Sequence, residues 1–214
     1  MKRDEAQLRE ALVEAGRHFH ARGLAIGTAG NLSVRLDDGY LVTPTNASLG
    51  GLAAARLAKL DANFEPVSGD KPTKEVSMHR AFYESRPSTE AVVHLHSTHA
   101  AALSFCRDLP ALDPIPVFSP YYVMRVGHLP VLPYFRPGSD AIGEAIRALQ
   151  GRYRAVLLAN HGPVNAGASL QDAITSAEEL EETARIFLML GKDRLRLLGE
   201  DEIRDLVTTF GLDW

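Results

Sequence analysis

The chain has 214 residues, 45% of them hydrophobic and 23% charged, with 23 basic against 27 acidic side chains and one cysteine. That profile describes an ordinary soluble domain, long enough to bury a core without a disulfide or structural metal, and the lone Cys106 fits a reducing compartment rather than a secreted scaffold. The net charge of -4 supplies no electrostatic footprint for nucleic acid or an anionic membrane. The start, Met1-Lys2-Arg3-Asp4-Glu5, carries no apolar leader, and no apolar run approaches the roughly 18 residues of a membrane span, so the expectation is a cytoplasmic, unprocessed protein.

In chain order, Leu8, Leu12, Ala15 and Phe19 recur at three- and four-residue intervals and predict an amphipathic helix ending near Gly23. Leu32, Val34 and Leu36 alternate with polar residues, Asp37-Asp38-Gly39 turns the chain, and Tyr40 to Thr43 completes a hairpin. Lys74 to Glu84 reads as a helix, Ala91 to His96 as a short strand and Thr98 to Phe105 as another helix. The proline- and aromatic-rich stretch from Leu109 to Pro137 reads as short strands, among them Leu129 to Leu132 and an aromatic-rich segment around Tyr122. Ser139 to Leu149 returns to helical spacing, and Ala155 to Ala159 is apolar throughout, as in the middle of a sheet. Ser169, with Asp172 three residues on, opens a long helix with Ala173, Ala177, Leu180, Ala184, Phe187 and Leu188 along one face, and Glu200 to Thr209 predicts a final short helix. No repeat or linker interrupts the alternation, which predicts one α/β domain with a mixed sheet.

The sharpest chemical signal is His94-Leu95-His96. Side chains at i and i+2 of a strand share a face, so two imidazoles there can converge on one ion. Alone, the pair reads more simply as two hydrogen-bonded polar residues near a strand end. Two companions shift the balance: His161, in Asn160-His161-Gly162 beyond the apolar run, and Glu75, near a helix start with no ion-pair partner at the following turn. Three imidazoles and a carboxylate suit zinc or another borderline divalent ion, and three protein ligands leave a position open for substrate. His18, His20, His79 and His128 read as surface or boundary residues, and His99 as a group that would orient a ligand from behind. Gly27-Thr28-Ala29-Gly30-Asn31, Thr43-Pro44-Thr45-Asn46 and Lys71-Pro72-Thr73-Lys74 are small polar loops able to cradle a phosphate, although each alone is also ordinary turn chemistry.

Taken together, these segments resemble the class II aldolase/adducin family across nearly the whole chain: Gly-Thr-Ala-Gly-Asn-Leu-Ser at 27–33, Thr-Pro-Thr at 43–45, Lys-Pro-Thr-Lys-Glu at 71–75, His-Leu-His-Ser at 94–97 and Asn-His-Gly at 160–162. The resemblance implies a single domain, 1–214, with a three-layer fold whose central mixed, largely antiparallel sheet is flanked by helices. It implies a divalent metal, usually zinc, with manganese, cobalt or iron as alternatives, held by Glu75, His94, His96 and His161. It further implies a phosphate pocket at Thr28, Asn31, Thr45, Asn46, Thr73 and Lys74, and a homotetramer with metal sites near subunit interfaces. Thr73-Lys74 replaces the serine pair common in the family's aldolases and epimerases, adding a cation suited to a more anionic substrate. Asn46 stands where aldolases tend to have glycine, and asparagine tolerates left-handed backbone.

The segments Ser119 to Gly127 and Pro133 to Gly138 look most like the branch that decarboxylates 3-oxo-tetronate 4-phosphates to dihydroxyacetone phosphate and carbon dioxide. On that reading the substrate is a small phosphorylated sugar acid, Glu75 carries the proton, Lys74 holds the phosphate or carboxylate, and Tyr122 and Arg125 reach the site, Tyr122 on its own or a neighbouring chain. The alternatives are an aldolase cleaving a ketose 1-phosphate, a dehydratase or epimerase, and a non-catalytic adducin-like binding module.

Overall fold

In the computed structural model, which describes residues 4–214, α1 (Glu5–Ala21) opens the chain, its N-terminus capped by the Asp4 carboxylate. Met1, Lys2 and Arg3, part of the charged start, lie outside the described residues. The expected hairpin forms β1 (Asn31–Arg35) and β2 (Gly39–Val42), and two further strands follow, β3 (Ala58–Asp61) and β4 (Pro66–Ser68). Helix α2 (Val76–Ser85) leads to β5 (Ala91–His94), α3 (Thr98–Ser104), α4 (Pro120–Arg125), β6 (Val131–Leu132) and α5 (Asp140–Ala148). The hairpin β7 (Ala155–Leu158) and β8 (Gly162–Gly167) precedes the long α6 (Leu170–Leu190) and the terminal α7 (Glu200–Phe210). Among the described residues, no helix is long and apolar enough to cross a membrane.

The eight strands form one sheet in the order β4-β3-β2-β1-β5-β8-β7-β6, antiparallel except for the β6–β7 pair. The two-residue side-chain period of its central strands feeds two opposite cores. Leu32, Val34, Ala91 and Val93 pack under α1 and the start of α6, and Ala155 and Leu157 under α3, α4 and the rest of α6. Val92, Val156, Leu158 and Val164 point the other way, toward α2 and α5. The result is the expected three-layer α/β arrangement with a mixed, largely antiparallel sheet.

Two readings of the sequence are corrected. The aromatic-rich segment at Tyr122 is helical, because Ser119 accepts a hydrogen bond from the Tyr122 amide and Pro120 occupies the first turn, a pair that favours a helix start. The strand read from Ala91 to His96 stops at His94, where pairing with β1 and β8 ends. In contrast, the Ser169 hydroxyl accepts from the Asp172 amide at 3.0 Å, the start expected for α6.

Candidate metal centre

Strand β5 delivers His94 to the α2 side of the sheet, and the chain beyond it turns His96 back toward the same point. Their Nε2 atoms lie 3.0 Å apart. His161 arrives from the tight β7–β8 connection, and the three rings stand nearly perpendicular to one another with centroids 4.8 to 4.9 Å apart. Close backbone approach makes this convergence available. A β-carbon on Gly30, at φ +84°, would sit 2.9 Å from the His94 carbonyl oxygen, and one on Gly162 would sit 2.7 Å from that of Leu95.

Glu75 occupies the N-cap position of α2, yet its carboxylate makes no capping bond and turns to the imidazoles instead. Its Oε1 lies 3.4 Å from His161 Nε2 and its Oε2 lies 3.7 Å from His94 Nε2. The Thr73 hydroxyl accepts the Glu75 amide at 3.3 Å and so helps fix the turn that aims it.

The polar accounting around these groups fits a cation. His94 Nδ1–H donates to the Pro163 carbonyl at 2.9 Å, leaving the Nε2 lone pair facing the cluster. Burial holds His94 well below the usual histidine pKa, aided by His96 and His161, and pushes His96 down to about 4. Burial also lowers His161, against the opposing pull of Glu75. Neutral imidazoles are metal ligands. Both ring nitrogens of His161 and Oε1 of Glu75 are buried without a hydrogen-bond partner among the described residues, a cost that an ion would remove. Two nitrogens bound to one tetrahedral zinc would sit roughly 3.3 Å apart, close to the His94–His96 spacing.

Behind Glu75 runs a buried chain that the sequence reading missed. The Asn31 amide donates to Glu75 Oε2 at 2.8 Å, so its carbonyl faces His79, whose Nε2–H donates to it at 2.5 Å. His79 Nδ1 then accepts from the Ser33 hydroxyl at 2.7 Å, and Ser33 accepts from Tyr83 at 2.8 Å. Every donor points toward the carboxylate. His79 is wholly buried, not a boundary residue, and burial pushes its pKa down to about 3, consistent with a neutral ring using both nitrogens. Its position on α2 opposite Ser33 of β1 was the available signal, but hydropathy alone could not pair them.

A cavity of about 250 Å³ opens over the cluster. Its wall joins Thr28, Asn31, Thr45, Asn46, Thr73 and Lys74 to Glu75, His96 and His161. The loops at Thr43 to Asn46 and Lys71 to Lys74 are stitched together by backbone bonds from the Thr45 amide to the Lys71 carbonyl and from the Thr73 amide to the Thr43 carbonyl. Asn46 adopts φ +56°, the left-handed geometry asparagine tolerates. Pro137, within the Pro133 to Gly138 segment that marked the branch, also lines the cavity, a role the sequence reading did not give it.

Tyr122 and Arg125 are not brought there. Tyr122 is 1% exposed, packed in the core formed with Ala100, Leu129, Leu157 and Leu180, and does not line this cavity. The exposed tyrosine of α4 is Tyr121. Arg125 lines a different cavity. His99 is held by Glu181 of α6, whose carboxylate accepts from His99 Nδ1 and from the His99 and Ala100 amides, capping the helix that follows the His94–His96 segment.

Known proteins resemble this chain in sequence and in fold. The 3-oxo-tetronate 4-phosphate decarboxylase of Pectobacterium atrosepticum is 50% identical over 94% of this chain and 93% of its own length. The L-fuculose phosphate aldolase of Escherichia coli K12 is 33% identical over 88% of this chain and 86% of its own. Among solved structures, YgbL from Klebsiella pneumoniae, described only as a candidate aldolase/epimerase/decarboxylase, superposes with a TM-score of 0.92 at 50% identity, covering 95% of this chain and 99% of that one. The sequence profile of the Class II Aldolase and Adducin N-terminal domain family matches residues 10–188, and the chain belongs to that family.

Proposed function

We propose that the protein is a metal-dependent carbon–carbon lyase that decarboxylates a 3-oxo-tetronate 4-phosphate to dihydroxyacetone phosphate and carbon dioxide. The observation that carries this reading is the cavity in which Lys74 and three small polar loops face the imidazole cluster and Glu75. That arrangement offers separate places for a phosphate and for an oxygen-rich reacting centre. The 44–50% identity to relatives named for this reaction supports the choice of substrate over the more distant fuculose phosphate aldolases.

The metal would be zinc, held by His94, His96, His161 and Glu75; manganese, cobalt and iron remain compatible with the same donors. When bound, it would supply a Lewis acid for negative charge on the substrate oxygens. The chain's own groups do the rest. Thr28, Thr45, Asn46 and Thr73 offer donors to the phosphate, with Asn31 at the floor of the same cavity. Lys74 adds a cation that either the phosphate or the departing carboxylate can use. When the bond between carbons 1 and 2 breaks, its electron pair stays with carbon 2, which must then gain a proton. Glu75 would provide it from Oε1, the oxygen that makes no hydrogen bond, after taking up the one solvent proton that loss of carbon dioxide consumes, while Asn31 keeps Oε2 in place. Tyr122 and Arg125 take no part in this scheme.

We further take residues 1–214 as one functional domain, assembled as a cytoplasmic homotetramer, with α7, beyond the family match, packed on α4. A coupled assay for dihydroxyacetone phosphate tests the reaction. Release from 3-oxo-tetronate 4-phosphate, with carbon dioxide and sensitivity to a chelator, is the expected result. Release from a ketose 1-phosphate instead, with an aldehyde, would replace the decarboxylase with an aldolase.

A further inference from the structure

At the opposite end of the central strands the chemistry reverses sign. Strand β7 runs from Ala155 toward His161, so Arg154, just before it, lies at the end remote from the imidazoles, where its carbonyl accepts the Ala166 amide at 2.7 Å. Four residues of strand, roughly 13 Å at about 3.3 Å each, separate the two ends. Here a cavity of about 240 Å³ is lined by Arg86, Arg125, Arg154 and Ser88, with Asp172 as its one carboxylate. It lies beside the N-terminus of the 21-residue helix α6, whose partial positive charge adds to that of the guanidinium groups.

These arginines are poorly compensated by the chain itself. Arg154 is partly buried and donates to the Met124 carbonyl at 3.3 Å; neither it nor Arg125 forms an ion pair among the described residues. Arg86 donates to the Gly151 carbonyl at 2.8 Å and meets the exposed Asp213 carboxylate only at 3.9 Å. Burial and the like charges of Arg86 and Arg125 lower the Arg154 pKa against the smaller pull of Asp213 and Asp172. A half-buried guanidinium with cationic neighbours is costly without an anion, and planar forked donors match phosphate oxygens.

We propose that Arg86, Arg125 and Arg154 form a phosphate-dianion site, separate from the metal centre, that takes inorganic phosphate or the phosphate group of a small monoester. A cavity of about 240 Å³ has room for a phosphate and a short carbon chain. The site is independent of the proposed reaction.

Calorimetric titration of the metal-loaded full chain with inorganic phosphate tests it, with glycerol 3-phosphate as a second arm to distinguish free phosphate from a monoester by which binds more tightly. The expected result is a binding event that Lys74→Met leaves intact and Arg154→Met weakens at least about tenfold, the loss of one charge-assisted bond. That event supports the site whether or not a second, Lys74-dependent phosphate is seen. Circular dichroism and an unfolding midpoint establish that Arg154→Met folds; if it does not, the exposed Arg125→Gln is read the same way. Phosphate binding that Lys74→Met abolishes and both arginine variants leave unchanged would overturn the proposal. So would arginine variants that dissociate an oligomer at unaltered phosphate stoichiometry, because the guanidinium groups would then serve a carboxylate of a second copy.

Discussion

His79 and His161 are both buried, both neutral by their surroundings and both close to the same carboxylate, His79 two hydrogen bonds away through Asn31 and His161 with its Nε2 3.4 Å from Oε1, yet they belong to different kinds of structure. His79 has each ring nitrogen occupied, one by Asn31 and one by Ser33. His161 has neither. Burial and titration therefore do not separate a histidine that builds the fold from one that awaits a ligand; the count of satisfied nitrogens does. The same rule sorts the two oxygens of Glu75, one fixed by Asn31 and one left without a hydrogen bond beside His161.

The comparison is sharpest where a perturbation should strike one region and spare the other. Removing the metal with a chelator should abolish turnover, and restoring it at about 1,000 times its dissociation constant should add about 4 kcal/mol of stability. Elemental analysis and denaturant unfolding of the same sample check both, and a fully active chelated protein would dissolve the distinction altogether. Glu75→Gln should cost about 10³-fold in kcat while bound metal largely remains, since three imidazoles still converge. Turnover at the native rate would remove Glu75 from its role.

Substitutions in the buried chain should act on stability first. His79→Phe leaves the Asn31 carbonyl and the Ser33 hydroxyl hydrogen without partners in the core, and a loss of about 2 to 4 kcal/mol by urea unfolding is expected. Metal content should stay at the native level, with kcat about tenfold lower because Asn31 no longer fixes Oε2. Loss of metal along with stability would instead place His79 among the ligands' supports.

The pH dependence follows from the same ring. His79 has a lowered pKa in the fold, about 3 against an ordinary 6.5, so the unfolded chain binds a proton there that the native chain refuses. Its contribution to stability is present above pH 6.5 and is lost as the pH falls toward 3, at about 1.4 kcal/mol per pH unit. His94 and His96 add slopes of the same sign, so the test is the difference between the native chain and His79→Phe, which should be one proton's worth. Equal slopes would show that His79 is already charged in the native state. Ser33→Ala, which deletes only the donor to His79 Nδ1, should have the smallest effect, about 1 kcal/mol, with activity near native.

The sequence by itself determined most of the local structure and the composition of the site. Periodicity placed α1, α2, α3, α5, α6 and α7 and the β1–β2 hairpin, since these depend on spacing and capping that a few adjacent residues express, as at Ser169 and Asp172. Motif order carried the histidines, Glu75 and the three polar loops. The strands β3, β4 and β8 were not read, because Gly162–Gly167 and Pro66–Ser68 lack the alternation that marks a half-buried strand and exist through pairing with distant partners. Only the tertiary structure decided which groups meet. It buried Tyr122 and exposed Tyr121 by turning an expected strand into a helix, and sent Arg125 to the far end of the sheet. It also joined Asn31, Ser33 and His79 into one chain behind Glu75. Hydrogen-bond satisfaction is a property of three-dimensional neighbours, 44 to 48 residues apart here, and no local pattern reports it.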